Sequence, residues 1–306
     1  MDSVNEIFDD FANKFAGHDS FALRYGWLEK AYYQVKNGNN NPFTSDDAIV
    51  HFGVGKNMVK AIRHWSTRSN FLIEYTQGSY KTSEYADITM GSFDPYIEKS
   101  DTLWKIHYEL ATNRLNSTIF WLFNSLNVSS FNKNYVESKL SDLAFAQTNK
   151  RPVEKTLRTD INVALSMYCQ SRTKRTVNED EISSPLQELN LINLNNDGSY
   201  SLNTGPKKSL SNSLFLNAVL NYWKIKDPSP NFSSTSLRAD RLLYEALSPG
   251  RIFGLSETEL MDRVHQLPET TQGELEISDG SGITQIFKRS QKFDYNKFSN
   301  QWCNNE

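Results

Sequence analysis

The feature that most restricts the fold is an order that recurs along the chain. Stretches with apolar residues at helical spacing lead into two short extended segments around a turn. Toward the N-terminus, Leu28, Ala31, Tyr32 and Val35 share one face of a predicted helix that stops at Asn37-Gly38. After the loop "NGNNNPF", the stretch "TSDDAIVHF" predicts a short helix capped by Thr44 or Ser45, with Asp46 and Asp47 where the helix dipole favours negative charge. "KNMVKAIRHWSTRSN" predicts a third helix, and "FLIEY" and "SYKTS" two short strands around Gln77-Gly78.

The same order returns twice. "DTLWKIHYELAT" and "STIFWLFNSL" carry aromatics at core spacing, and Leu157, Ile161, Ala164, Leu165 and Tyr168 form another apolar stripe. A polar linker, "KRTVNEDEISS", precedes "LINLNNDGSYSLN", a hairpin with Asp197-Gly198 at its turn. Further on, "SLFLNAVLNYWKI", a loop "DPSPNFSST" and "SETELMDRVHQL" lead to a last predicted hairpin, "GELEISDGSGITQIFKRS". Ser256 and Glu259 have the spacing of a capping box. This order predicts a mainly α protein with short β-hairpins, built of tandem winged-helix or helix-turn-helix-like units. Three domains are expected: 1–96, 97–203 with a second such unit, and 204–306.

Composition narrows the function classes. The chain has 306 residues, 38% of them hydrophobic, enough for a real core. A net charge of -3 gives no whole-molecule pull toward nucleic acid or anionic membrane, so any such affinity must be local. Cys169 and Cys303 form neither a disulfide framework nor a Cys-x-x-Cys metal pair, which fits a reducing cytoplasm. The acidic start "MDSVNEIFDDFANKF" has no secretory signature. Val4, Ile7, Phe8, Phe11 and Phe15 predict an amphipathic helix there, and no apolar run is long enough to span a membrane.

"FGVGKNMVKAIRHW" superficially resembles a phosphate-binding loop, but three requirements fail. The first glycine position of a P-loop holds Val50, its Ser/Thr position holds Asn57, and the loop follows a predicted helix instead of a buried strand. No nucleotide site is expected. The better reading is a helix-turn-helix, with Gly53 and Gly55 permitting the turn. Met58, Val59, Ile62 and Trp65 then face the core, while Lys56, Asn57, Lys60, Arg63, His64 and Arg68 face outward. From Ala48 to Ile73 there are four Lys/Arg and no Asp or Glu, in a chain acidic overall. That local reversal is what contact with duplex DNA requires, because cationic side chains neutralise phosphates while Asn and Arg reach base edges.

Other chemistry is weaker. His107 lies among core aromatics and reads as a satisfied core histidine; no His-x-x-x-His pair predicts zinc, and no Gly-x-Ser-x-Gly elbow predicts a serine nucleophile. His18, Asp19 and Arg24 lie close together among Phe15, Phe21, Tyr25 and Trp27. They read either as a cap with a buried salt bridge or as a phosphate-handling, acid/base catalytic cluster. Acidic pairs at Asp9-Asp10, Asp46-Asp47 and Glu179-Asp180-Glu181 fall on predicted helices or a loop, so no metal ligands are assigned. "SPGRIFGLS" reads as a structured loop around Arg251.

"FAGHDSFALRYGWLEKAY", "FTSDDAIVHFGVGKNMVKAIRHW", "FDPYIEKSDTLWKIHYEL", "TLRTDINVAL", "SPLQELNLI" and "SPGRIFGLSETEL" together resemble the bacterial family DUF4007. The resemblance spans nearly the whole chain in order. It implies a DNA-binding protein of Ssp-type phosphorothioation systems, which replace a backbone phosphate oxygen with sulfur. It implies nicking of DNA, with Mg²⁺ as cofactor if so, and partners that include a cysteine desulfurase and ATP-using components. Within the matching blocks, His18, Arg24, Lys56, Asn57, Arg63 and Asp160 stand out, without assigned roles. A non-catalytic DNA-binding adaptor for sulfur transfer and a transcriptional regulator are the alternatives.

Overall fold

A computed structural model describes residues 12–44, 47–169, 184–228, 234–280, 282–290 and 293–303. The expected N-terminal helix through Phe11, the acidic groups at Asp9-Asp10 and Glu179-Asp180-Glu181, and most of the polar linker lie outside the described residues. The protein is mainly α with small antiparallel sheets. It divides into two compact units, Asn5–Asn203 and Thr204–Glu306. No helix among the described residues is long and apolar enough to cross a membrane.

The first unit opens with α1 (Trp27–Lys36), whose predicted stripe of Leu28, Ala31, Tyr32 and Val35 is buried. Then come α2 (Ala48–Phe52), α3 (Lys56–Arg68) and a hairpin of β1 (Leu72–Thr76) and β2 (Ser79–Thr82), with Gly78 left-handed at its turn. Asp47 stands at the start of α2 without a side-chain cap, and Ser45 and Asp46 lie outside the described residues. The backbone N–H of Tyr80 in β2 donates to the Asn40 carbonyl at 2.8 Å, so a residue between α1 and α2 pairs with the second hairpin strand.

After α4 (Glu84–Ile88) and a π-turn at Thr89–Phe93, the unit continues with α5 (Ser100–Thr112), α6 (Ser117–Asn124), α7 (Lys133–Thr148) and α8 (Glu154–Tyr168). Every residue of α6 is buried, which explains its near-continuous apolar sequence. The predicted stripe of α8 is buried as well. A 3₁₀ turn at Pro185–Leu189 leads to a hairpin of β3 (Ile192–Leu194) and β4 (Tyr200–Leu202). Phe131, between α6 and α7, exchanges backbone hydrogen bonds with Tyr200 of β4 at 2.8 and 2.7 Å. His107 Nδ1 lies 2.9 Å from the Tyr168 hydroxyl, and its ring packs on Trp104 and Phe123, so it is a satisfied core histidine.

The second unit holds α9 (Asn212–Lys226), β5 (Ser236–Arg238), α10 (Arg241–Tyr244), α11 (Pro249–Phe253), α12 (Glu257–Thr270), β6 (Leu275–Gly280), β7 (Ile283–Lys288) and α13 (Tyr295–Ser299). Its sheet has the order β5-β7-β6. The sequence reading found the β6–β7 hairpin but not β5, which is too short to show alternation and owes its state to pairing with β7. The capping box forms by half. Ser256 accepts the Glu259 N–H at 3.2 Å, but the Glu259 carboxylate turns to Arg263 at 2.8 Å.

The motif "SPGRIFGLS" is a helix with both ends specified. Ser248 caps α11, Pro249 opens it, and Gly254 closes it in the left-handed conformation. Gly250 lies against α10 so closely that a Cβ would stand 2.6 Å from the Leu242 carbonyl oxygen and 2.7 Å from the Leu243 Cα. Backbone atoms cannot move aside as a side-chain end can. Gly250→Ala is therefore expected to destabilise the protein by about 1–3 kcal/mol, as overpacking does. Gly280→Ala, with nothing within 4 Å of its Cβ, is the control. Equal urea midpoints for the two variants would show that α10 and α11 are not in close backbone contact.

Candidate nucleic-acid interface

The α3 helix is entered through a turn that needs glycine once. Gly53 closes α2 at φ 64°, the left-handed region, whereas Gly55 precedes α3 in extended backbone at φ -66°. The expectation that both glycines supply unusual backbone is corrected at Gly55. From there the spacing works as read: Val59, Ile62 and Trp65 are buried, together with Ala61 and Ser66, while Met58 is half-buried. Lys56, Asn57, Lys60 and Arg63 are exposed.

His64 and Arg68 behave differently from the other outward residues. His64 is half-buried, its ring edge-on to Trp65 and to His18 with centroids 4.6 and 5.5 Å away. Burial, reinforced by His18, Arg68 and Arg63, holds its pKa well below the usual histidine value. Arg68 is also half-buried. Its pKa is lowered by burial and by the neighbouring Arg63 charge.

What fixes α3 in place is the segment just before α1. Gly17, Asp19 and Ser20 all have positive φ, at 119°, 43° and 68°. Such backbone in Asp and Ser is costly and persists only where the surroundings enforce it. Here they do. The Trp65 indole N–H donates to the Phe21 carbonyl at 2.9 Å, and the His18 ring stacks on Trp65 at 5.8 Å with 9° between planes. The Ser20 backbone N–H donates to His18 Nδ1 at 3.1 Å, which places the ring proton on Nε2. That nitrogen faces the Asp160 carboxylate on α8 at 2.8 Å, and the other Asp160 oxygen accepts the Thr118 hydroxyl of α6 at 2.5 Å.

His18, Asp19 and Arg24 are thus not gathered into one cluster. His18 turns inward to Asp160. Asp19 turns outward and pairs with Lys60 of α3 at 3.1 Å. Arg24 lies over the rings of Phe21 and Trp27, at 5.5 and 5.6 Å from their centroids. The buried pair expected at this stretch exists, but its acid comes from far along the chain. Asp160 and Thr118 carry no local signal of a role, and Asp160 stands out in sequence only through the family resemblance.

Between the C-terminal half of α3, the β1–β2 hairpin and the 16–17 backbone lies a cavity of about 220 Å³. Gly17, Arg63, His64, Arg68, Glu74 and Tyr80 line it. No motif announced Glu74 or Tyr80; each faces the cavity because β1 and β2 pair Glu74 with Tyr80. Among the described residues, no three His, Cys, Asp or Glu side chains gather where they could hold a metal ion.

The fold and this site define a mainly helical protein with a local basic face on an acidic chain. Proteins of unknown function of the family DUF4007 match residues 15–301, and the chain belongs to that family. A crystal structure of SspB is similar at 26% identity and a TM-score of 0.82, covering 95% of this chain and 88% of that one. A crystal structure of magnesium ion-bound SspB is similar at 25% identity, with the same TM-score and coverage. No curated protein sequence matches the chain.

Two outcomes follow from this geometry. Asp160→Asn removes the charged acceptor of a buried His18 and is expected to cost about 1.5–3 kcal/mol in urea denaturation; a loss below ~0.5 kcal/mol would show that the pair does not hold the 17–21 backbone. Burial holds the His64 pKa in the folded state well below its ordinary value, so as pH falls the unfolded chain takes up a proton first. Stability should therefore fall as pH drops below ~6.5, with His64 adding up to ~1.4 kcal/mol per pH unit. His64→Gln should flatten that dependence, and parallel pH curves for wild type and variant would refute the assignment.

Proposed function

We propose that the protein serves an Ssp-type DNA phosphorothioation system as its SspB-like component. In this reading it binds duplex DNA through the exposed face of α3 and nicks a strand where sulfur is to enter the backbone. The observation that carries DNA binding is the charge of α3. Lys56, Asn57, Lys60 and Arg63 are exposed on one helix in a stretch with no carboxylate, while the chain as a whole is acidic. The Lys60–Asp19 pair is half-exposed and so worth little, and Lys60 can exchange Asp19 for a phosphate.

The repeated topology supports the same reading. Three times, a helix is followed by a strand or a single residue that pairs with the far strand of a later hairpin: Asn40 with β2, Phe131 with β4, and β5 with β7. Helices fill the interval each time, which is the order of a winged helix. In this reading α3 is the recognition helix of the first unit.

Nicking rests on the likeness to SspB, one structure of which has bound magnesium. The described residues offer no matching carboxylate set for Mg²⁺, so no metal step is assigned to them. A cysteine desulfurase and ATP-using proteins are the partners this role requires.

Duplex binding measured against salt tests the reading. Lys56→Ala with Lys60→Ala should weaken binding and reduce the salt slope by ~0.9 log units per lost phosphate contact. An unchanged slope would place DNA elsewhere. Purified protein should convert supercoiled plasmid to the open circle in Mg²⁺. Binding without nicking would make the protein an adaptor that presents DNA to the sulfur-transfer partners.

A further inference from the structure

We propose that the cavity at Arg63 and Arg68 is a binding site for a tetrahedral oxyanion, a phosphate monoester or free phosphate. Two guanidinium groups line one cavity of about 220 Å³. Arg68 Nε is buried with no hydrogen-bond partner, and among the described residues the Arg68 side chain makes no ion pair. A buried guanidinium nitrogen without an acceptor is costly, and an anion in the cavity removes that cost.

Glu74 is the one carboxylate lining the cavity, and its charge acts on Arg68 but offsets only one of the two guanidinium groups. Its Oε1 accepts the Gly78 N–H at 2.8 Å and the Tyr80 hydroxyl at 3.4 Å, and it forms no ion pair with either arginine. The site therefore keeps a net positive charge with His64 neutral. Gly17 contributes by absence: a Cβ there would stand 2.6 Å from His64 Nδ1, so only glycine lets the backbone form this wall. The half-buried setting of Arg68 also separates the site from the exposed face of α3. A phosphodiester within an intact duplex is met by Lys56 and Lys60 at the surface, whereas this half-open cavity, walled by half-buried Arg68 and His64, suits an anion small enough to enter it. A strand-end phosphate and inorganic phosphate share that chemistry.

Calorimetric titration of the full chain with inorganic phosphate tests the site, and the same chain is titrated with one oligonucleotide bearing a 5′-phosphate or a 5′-hydroxyl. Phosphate should bind, and Arg68→Gln should weaken it at least tenfold. Arg63→Gln, at an exposed position that tolerates change, should weaken it as well. Thermal melting confirms that each variant is folded. A preference for the phosphorylated oligonucleotide that vanishes in Arg68→Gln identifies a strand end as ligand; phosphate binding without that preference identifies the free anion. No phosphate binding, or equal binding in wild type and both variants, overturns the proposal. The strand-end arm alone rests on the DNA reading. Lys56→Ala with Lys60→Ala, which removes surface contacts, should leave phosphate binding intact, so the two readings fail separately.

Discussion

The contact between His18 and Asp160 is the one on which the rest of the site depends. It joins the backbone before α1 to a helix more than a hundred residues later, and Thr118 closes it from α6. With the ring held by Asp160 on one nitrogen and by the Ser20 N–H on the other, His18 offers Trp65 a fixed face. Trp65 in turn fixes the rotation of α3 about its axis. Which residues of that helix meet solvent, and which line the cavity, follows from this rotation. Hydrogen bonds to a charged group are worth about twice neutral ones, which suits them to holding positive-φ backbone at Asp19 and Ser20.

The charges of α3 divide along its length. At the N-terminal end, Lys56 and Lys60 are exposed, and Asp19 shields one of them only through a half-exposed pair. At the C-terminal end, Arg68 and His64 are drawn against the hairpin and the 16–17 backbone, where burial depresses the pKa of both. The first set matches a flat polyanion and works through long-range attraction that salt screens. The second set matches a small anion that enters the protein and is screened less.

The threefold order of helix, pairing residue, helices and hairpin has an economical physical basis. A two-stranded hairpin is marginal by itself and gains from a third backbone beside its far strand. In the second unit that backbone is a strand, β5; in the first unit single residues, Asn40 and Phe131, do the work. This difference is why a local repeat of residues is absent although the order of elements repeats.

The amino-acid sequence by itself determined the longer helices, most of their buried faces and the three hairpins; the short helices α4, α10 and α11 were not legible in it. The elements it determined depend on periods of 3.6 and 2 and on turn dipeptides such as Gln77-Gly78 and Asp197-Gly198, all properties of neighbours along the chain. It also determined the basic character of α3 and, through long matching blocks, the family. Only the tertiary structure decided that His18 pairs with Asp160 and not with Asp19, that Arg24 covers aromatic rings, and that His64 turns from the solvent face into a cavity with Glu74 and Tyr80. Sequence proximity says little about such meetings. They are set by which helix faces are buried against one another, and a side chain at the edge of a buried stripe goes inward or outward according to what the distant chain supplies.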